Sequence, residues 1–178
     1  MRRLVLIISC LATATAAAPT AADTVHARLD RATPTGPGAS VGEVTFTDAP
    51  GGAVIRLDLH GLPPGPHGFH VHTNPSCGPA TTADGKVMAA GAAGGHLDPG
   101  ATNMHMGPMG QGHLGDLPLV EVAADGTARQ TLTAPRIKSV SDLKGHAVML
   151  HAGGDNYADQ PAPLGGGGAR LACGMIDP

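Results

Sequence analysis

The stretch Ala53-Val54-Ile55-Arg56-Leu57-Asp58-Leu59-His60 decides the fold. Ile55, Leu57 and Leu59 alternate with Arg56, Asp58 and His60; side chains of an extended chain leave opposite faces in turn, so one face here is oily and the other wet. That is a half-buried β-strand. Gly51-Gly52 before it and Pro63-Pro64-Gly65 after it are turn material. Comparable runs, alternating or β-branched, recur at 24–29, 41–47, 68–72, 119–122, 127–132, 147–151 and 169–176. Strands at this spacing predict an all-β fold, a Greek-key barrel or sandwich of about eight antiparallel strands with two long functional loops. With two Phe, one Tyr and no Trp in the chain, the core must be built from Val, Leu, Ile, Met and Ala.

The chain has 178 residues. Arg2-Arg3, the apolar run from Leu4 and the small residues up to Ala22 read as an export signal over 1–22, leaving 23–178 as one domain. Cys10 stands too early, behind too short an apolar run, for a lipid anchor. No segment has the roughly 20 apolar residues that a membrane span needs. The expected location is across the inner membrane, in the periplasm. Loss of Arg2 and Arg3 takes the formal charge from -3 to -5, and no basic patch points to nucleic acid. Cys77 and Cys173 remain after the signal, and a pair in an exported chain is expected to form a disulfide.

Two segments break the strand rhythm, 73–118 and 152–168. Each is too long for an idle connection. Ahead of the first stand His70 and His72, two apart on an extended run and so directed to one side. Within or beside these segments lie His96, His105, His113, Asp116 and His151. Imidazole and carboxylate ligands are plentiful and free thiolates are not, which suits a transition metal. Gly165-Gly166-Gly167-Gly168 reads as a flexible lead into the last strand. His26 and His60 read as exposed, and His67 and His146 as structural.

Gly68-Phe69-His70-Val71-His72, Gly94-Gly95-His96-Leu97-Asp98-Pro99, His105 with Gly107-Pro108, Gly112-His113-Leu114-Gly115-Asp116-Leu117-Pro118, His151-Ala152-Gly153-Gly154-Asp155-Asn156 and Gly168-Ala169-Arg170-Leu171-Ala172-Cys173-Gly174 occur in that order. Together they closely resemble the copper/zinc superoxide dismutases in their secreted bacterial form. The resemblance covers essentially all of 23–178. It implies a copper, cycling between Cu(2+) and Cu(+), held by His70, His72, His96 and His151, and a Zn(2+) held by His96, His105, His113 and Asp116. It further implies that the imidazolate of His96 bridges the two metals, that Asp155 links His70 to His105 from behind, that Arg170 guides the anion and that Cys77 pairs with Cys173. His96 and Arg170 are then the residues of the reaction, dismutation of superoxide to oxygen and hydrogen peroxide.

The chemistry agrees with these roles. Zinc favours a closed tetrahedron of nitrogen and oxygen ligands, while copper accepts imidazoles and leaves a direction open for a small anion. A metal buffer of the same fold would need neither a shared His96 nor Arg170. The loop 152–168 holds Asp155 and Asp159 but no Lys or Arg. Long-range steering is therefore expected to be weak, with Arg170, Lys86 and Lys144 as its sources. Few aromatics favour a monomer or a weak homodimer. Met104, Met106 and Met109 around His105 form a candidate soft patch for Cu(+).

Overall fold

The computed structural model describes residues 22–177. The signal expected over 1–22, Cys10 included, lies outside the described residues apart from Ala22. Eleven strands are formed: β1 (Thr24–Thr33), β2 (Gly36–Thr47), β3 (Ala53–Leu59), β4 (Gly65–His67), β5 (Phe69–His72), β6 (Ala80–Thr81), β7 (Val87–Met88), β8 (Val120–Val122), β9 (Ala128–Ala134), β10 (Ala147–His151) and β11 (Arg170–Met175). Seven make one antiparallel sheet in the order β5-β10-β11-β1-β2-β3-β9. The chain crosses from the β3 edge to the β5 edge and back from β9 to β10, connections of the Greek-key kind.

The sheet curls, and a ribbon of β4 with β8 spans the gap between its edges. β4 runs on into β5, while the segment ahead of β8 follows along β5 through Leu117 N–H to Phe69 O at 3.2 Å and Val71 N–H to Gly115 O at 2.9 Å. The result is a half-barrel with a dry interior. Val25, Leu29, Val44, Phe46, Ile55, Leu57, Leu59, Phe69, Val71, Leu117, Val148 and Leu150 fill it. Each such side chain contributes about 1.5–3 kcal/mol through lost contact with water. β3 has the alternation of burial that its sequence predicts.

β5 and β10 differ, because both of their faces are buried. Phe69, Val71, Val148 and Leu150 face the core. His70, His72 and His151 share the other side with Ala147 and Met149, and Met149 lies opposite His70 in the register. Ala90, Ala93 and Cys173 pack there with Met149 and Ala147, so the segment 73–118 makes a second, smaller interior over this face. The disulfide Cys77–Cys173 fastens it to β11 across 96 residues of sequence, with Cα atoms 5.7 Å apart.

The eight expected runs all form strands; among the described residues three short ones, β4, β6 and β7, are added, and pairing extends beyond the hydrophobic pattern. β1 and β2 continue past Leu29 and start before Val41, turning at Pro34-Thr35; their far ends are held by backbone pairing such as Ala32 with Pro37 and bury little. β6 and β7 form a two-residue ladder within the long segment 73–118. Among the described residues no helix is long and apolar enough to cross a membrane.

Candidate metal centre

His70 and His72 leave the outer face of β5, and His151 ends the same face of the neighbouring β10. His96 is brought over them by the segment 73–118, which bridges to β5 at His72. Asp116 is delivered by the segment beside β5, at a bridge to His70. All these rings are buried.

Each ring commits one nitrogen to an outer partner and leaves the other facing inward. His70 Nε2–H donates to Asp155 Oδ2 at 2.8 Å, His72 Nδ1–H to Gly94 O at 2.9 Å and His151 Nδ1–H to Gly168 O at 3.2 Å. His105 Nε2–H donates to Asp155 Oδ1 at 2.8 Å. Such outer bonds select the tautomer, so lone pairs remain on His70 Nδ1, His72 Nε2 and His151 Nε2, and on His105 Nδ1 once that ring is neutral. His72 Nε2 and His151 Nε2 face each other at 3.4 Å. Four imidazoles, His70, His72, His96 and His151, have ligand atoms within 4.8 Å of one another, and so do His70, His96, His105 and Asp116.

Three rings converge on one carboxylate oxygen. Asp116 Oδ1 lies 3.0 Å from His96 Nδ1, 2.9 Å from His105 Nδ1 and 3.4 Å from His113 Nδ1. His96 Nδ1–H donates a hydrogen bond to it. His113 sits at the margin of the group, its ring centroid 5.3 Å from that of His96 and 6.1 Å from that of His105. It is placed with Asp116 by its Nδ1, which is buried and has no other partner.

These residues fit a metal pair. The buried nitrogens His70 Nδ1, His96 Nε2, His105 Nδ1 and His113 Nδ1 have no hydrogen-bond partner, an arrangement that native interiors avoid unless something else satisfies them. The vertices of a tetrahedron with bonds of 2.0–2.1 Å are about 3.3 Å apart. The 2.9–3.4 Å spacings around Asp116 Oδ1 bracket that value.

Burial, which disfavours charge, pushes His96 down to about 4 and His151 to about 3, and lowers His70 and His72 as well. Neutral rings are what a metal binds. Burial would lower His105 too, but the carboxylates of Asp116 and Asp155 outweigh it and raise this ring to about 9. Both carboxyls are themselves held well below the usual range by hydrogen bonds from the rings, against their burial.

Arg170 opens β11 beside this cluster. Its Nη1 donates to Ala90 O at 2.6 Å and its Nη2 to Gly94 O at 2.5 Å, so Gly94 O serves Arg170 and His72 together. Lys86 does not stand free, since its Nζ lies 2.7 Å from Asp84. Lys144 is exposed. His67, buried, has both ring nitrogens on carbonyls, Pro63 O and His151 O, and His146 Nδ1 bonds Thr73 O. A surface groove of about 890 Å³ lies elsewhere, over the outer faces of β1, β2, β3 and β9, and holds none of the clustered rings.

Four supports escaped sequence reasoning. Tyr157 donates its N–H to Asp155 Oδ1 at 2.7 Å and accepts from Leu119 N–H at 3.0 Å through its hydroxyl. Its ring fills the space over Gly107, where a Cβ would come within 2.6 Å. Asp159 accepts the His105 N–H at 3.0 Å, and Arg136 holds the carbonyls of Gly112 and His113, both at 2.8 Å. Gly165 is no mere spacer: at φ +71° it presses on Asp155, and a Cβ there would meet Oδ1 at 1.9 Å. The one signal available was that Tyr157 is the chain's single Tyr.

Comparison with known proteins agrees with this geometry. The family model described as copper/zinc superoxide dismutase matches residues 40–176. A Cu-Zn superoxide dismutase of Escherichia coli K12 is 52% identical over 176 residues, 99% of each chain. The solved structure of the Cu/Zn superoxide dismutase from Brucella abortus superposes with a TM-score of 0.85 at 51% identity, covering 86% of this chain and 99% of that one. The solution structure of the monomeric copper, zinc superoxide dismutase from Salmonella enterica gives 0.77 at 52% identity, covering 86% and 99%.

Proposed function

The chain belongs to the copper/zinc superoxide dismutase family, and on that premise we propose that it converts superoxide to oxygen and hydrogen peroxide at a copper and a zinc joined through His96. His70, His72, His96 and His151 would hold copper; His96, His105, His113 and Asp116 would hold zinc. Bound copper supplies one-electron redox chemistry, and bound zinc supplies charge and rigidity without it.

The observation that carries this reading is the position of His96. Its Nδ1 is 3.0 Å from Asp116 Oδ1 on one side, and its buried Nε2 has no partner on the other, among His70, His72 and His151. A ring placed so could give up both protons if two cations were held beside it, and its Nε2 can itself carry a proton. Two superoxide ions and two protons become one oxygen and one hydrogen peroxide, and Nε2 is a site from which one of those protons can be delivered.

Arg170 attracts and orients the anion. Its guanidinium donates to two carbonyls and keeps its remaining N–H groups for a ligand, while half-burial strengthens its field. Asp155 holds His70 and His105 in the tautomers that present Nδ1. The Cys77–Cys173 bridge lies three residues from Arg170 and steadies the backbone that presents it.

We further read the chain as exported to the periplasm by its first 22 residues and as a monomer or weak homodimer. Bacterial relatives and the described monomeric neighbour support this, and light scattering checks the mass. The central test measures bound metals and superoxide turnover on one preparation, then on His72→Ala. Copper, zinc and turnover are expected together, with copper and turnover lost in the variant. Full copper and zinc with negligible turnover would overturn the reading.

A further inference from the structure

Methionine is among the residue types most often fully buried. Six methionines fall within the described residues, and only Met149 is buried; Met88, Met104, Met106, Met109 and Met175 are 41–76% exposed. Three of those five stand within six residues, Met104, Met106 and Met109, around His105.

Burial alternates along this segment: Met104 out, His105 in, Met106 out, Gly107 in. The side chains of Met104 and Met106 therefore leave the side opposite the His105 ring. Their backbone is fixed. Met104 O accepts the His113 N–H at 2.9 Å, and the N–H groups of Met106 and Gly107 donate to Asp116 Oδ2 at 3.0 and 3.2 Å. Gly110 N–H reaches back to Gly107 O at 3.3 Å, closing the turn that carries Met109, the most exposed of the three.

Thioether sulfur is a soft ligand that takes Cu(+) and leaves zinc and Cu(2+) to imidazole and carboxylate. Among the described residues no thiol competes, because Cys77 and Cys173 are joined. Between Asp98 and Asp116 the segment carries no Lys or Arg of its own, and the one guanidinium seated on it, Arg136, is engaged with the carbonyls of Gly112 and His113. We propose that Met104, Met106 and Met109 form a surface site for one Cu(+) ion, separate from the buried imidazole cluster and different from it in ligand chemistry. The ion is bound as Cu(+) and no electron moves. Such a site collects reduced copper on the outer side of the very segment whose inner side presents His105.

The test uses the disulfide-intact protein already filled with zinc and copper. Cu(+) is added under reducing conditions gentle enough to keep the disulfide, and retained metal is counted against a Cu(+)-specific chelator. The wild-type protein is expected to keep one more Cu(+) per chain than Met104→Leu/Met106→Leu/Met109→Leu, with X-ray absorption showing sulfur neighbours for the extra ion. Met175→Leu, exposed but distant in sequence, is expected to keep it. Equal counts in wild type and triple variant would overturn the proposal, as would an extra ion with only nitrogen and oxygen neighbours. If the triple variant does not fold, Met109→Leu takes its place: it is expected to surrender the ion at lower chelator concentration, and wild-type retention overturns the site. The count requires no turnover, so it stands or falls apart from the dismutase reading.

Discussion

Replacing Asp155 with Asn should uncouple the two halves of the centre. The carboxylate accepts three hydrogen bonds, from Tyr157 N–H and His105 Nε2–H at Oδ1 and from His70 Nε2–H at Oδ2. An amide offers one oxygen and one NH₂ group. The oxygen will take the Oδ1 place, where two donors meet it, so the NH₂ will face His70 Nε2. Two donors cannot share that contact. His70 must then carry its hydrogen on Nδ1, the nitrogen left to ligate copper. Loss of such an outer partner typically costs 10–100-fold in metal affinity, or about 1.4–2.8 kcal/mol. The lost negative charge weakens both metals alike, whereas the tautomer clash falls on His70 alone. Chelator competition on Asp155→Asn should therefore show copper weakened about tenfold more than zinc. Nitrogen NMR of the metal-free variant should find the His70 proton moved to Nδ1. If zinc weakens as far as copper, or His70 keeps its Nε2 proton, the assignment of the two carboxylate oxygens is refuted.

Arg170→Leu should retain both metals and lose about 10–100-fold in kcat/KM, with partial recovery in Arg170→Lys; undiminished turnover in the Leu variant would exclude a guiding role. Removing the disulfide with Cys77→Ser and Cys173→Ser, a closure over 96 residues, should lower stability by about 4–5 kcal/mol in urea unfolding, and a loss below about 1 kcal/mol would contradict the chain-entropy account. In the metal-free chain, His96 at about 4 and His151 at about 3 lie below the 6.5 of an unfolded histidine. Stability present above pH 6.5 should fall as the pH drops toward 4, by up to about 1.4 kcal/mol per pH unit for each ring. His105, raised to about 9, acts in the opposite sense: its contribution is complete below 6.5 and is lost as the pH rises through 9. A urea midpoint that rises between pH 6.5 and 4 would contradict this. Because Lys86 is paired with Asp84, turnover should decline less than about threefold between 0.01 and 0.15 M salt, and a steep decline abolished by Lys144→Ala would locate a missed field.

The strands were legible wherever one face is wet. In β3, Arg56 and Asp58 mark the outer face, and its ends agree residue for residue with the alternation at 53–59. The hairpin end of β1 and β2 was not legible, because Asp30 to Thr33 carry no apolar alternation and are held by ladder pairing and by polar contacts such as Thr33 Oγ1 to Gly36 O. Of the candidate ligands, His70, His72, His96, His105, Asp116 and His151 stand in the two clustered groups and His113 at their margin; imidazoles at fixed places in ordered motifs are a chemical signal that survives without coordinates. The supporting shell is different. Gly165 acts by having no side chain, Tyr157 by contacts to residues 38 and 50 positions away, and Arg136 through carbonyls that any residue could offer. None of these leaves a local pattern to read.

β5 and β10 are covered on both sides, by the oily interior on one and by the segment 73–118 on the other. The two coverings draw on different residues of the same strands: Phe69, Val71, Val148 and Leu150 inward, His70, His72 and His151 outward. Assembly can therefore proceed in two stages, with the scaffold closing on its aliphatic side chains while the imidazoles still wait for their ions. It also means that the outer layer can be rebuilt without touching the scaffold. A designer could replace the ligands with apolar residues, or graft another metal chemistry onto the same face, and ask how much of the architecture is kept.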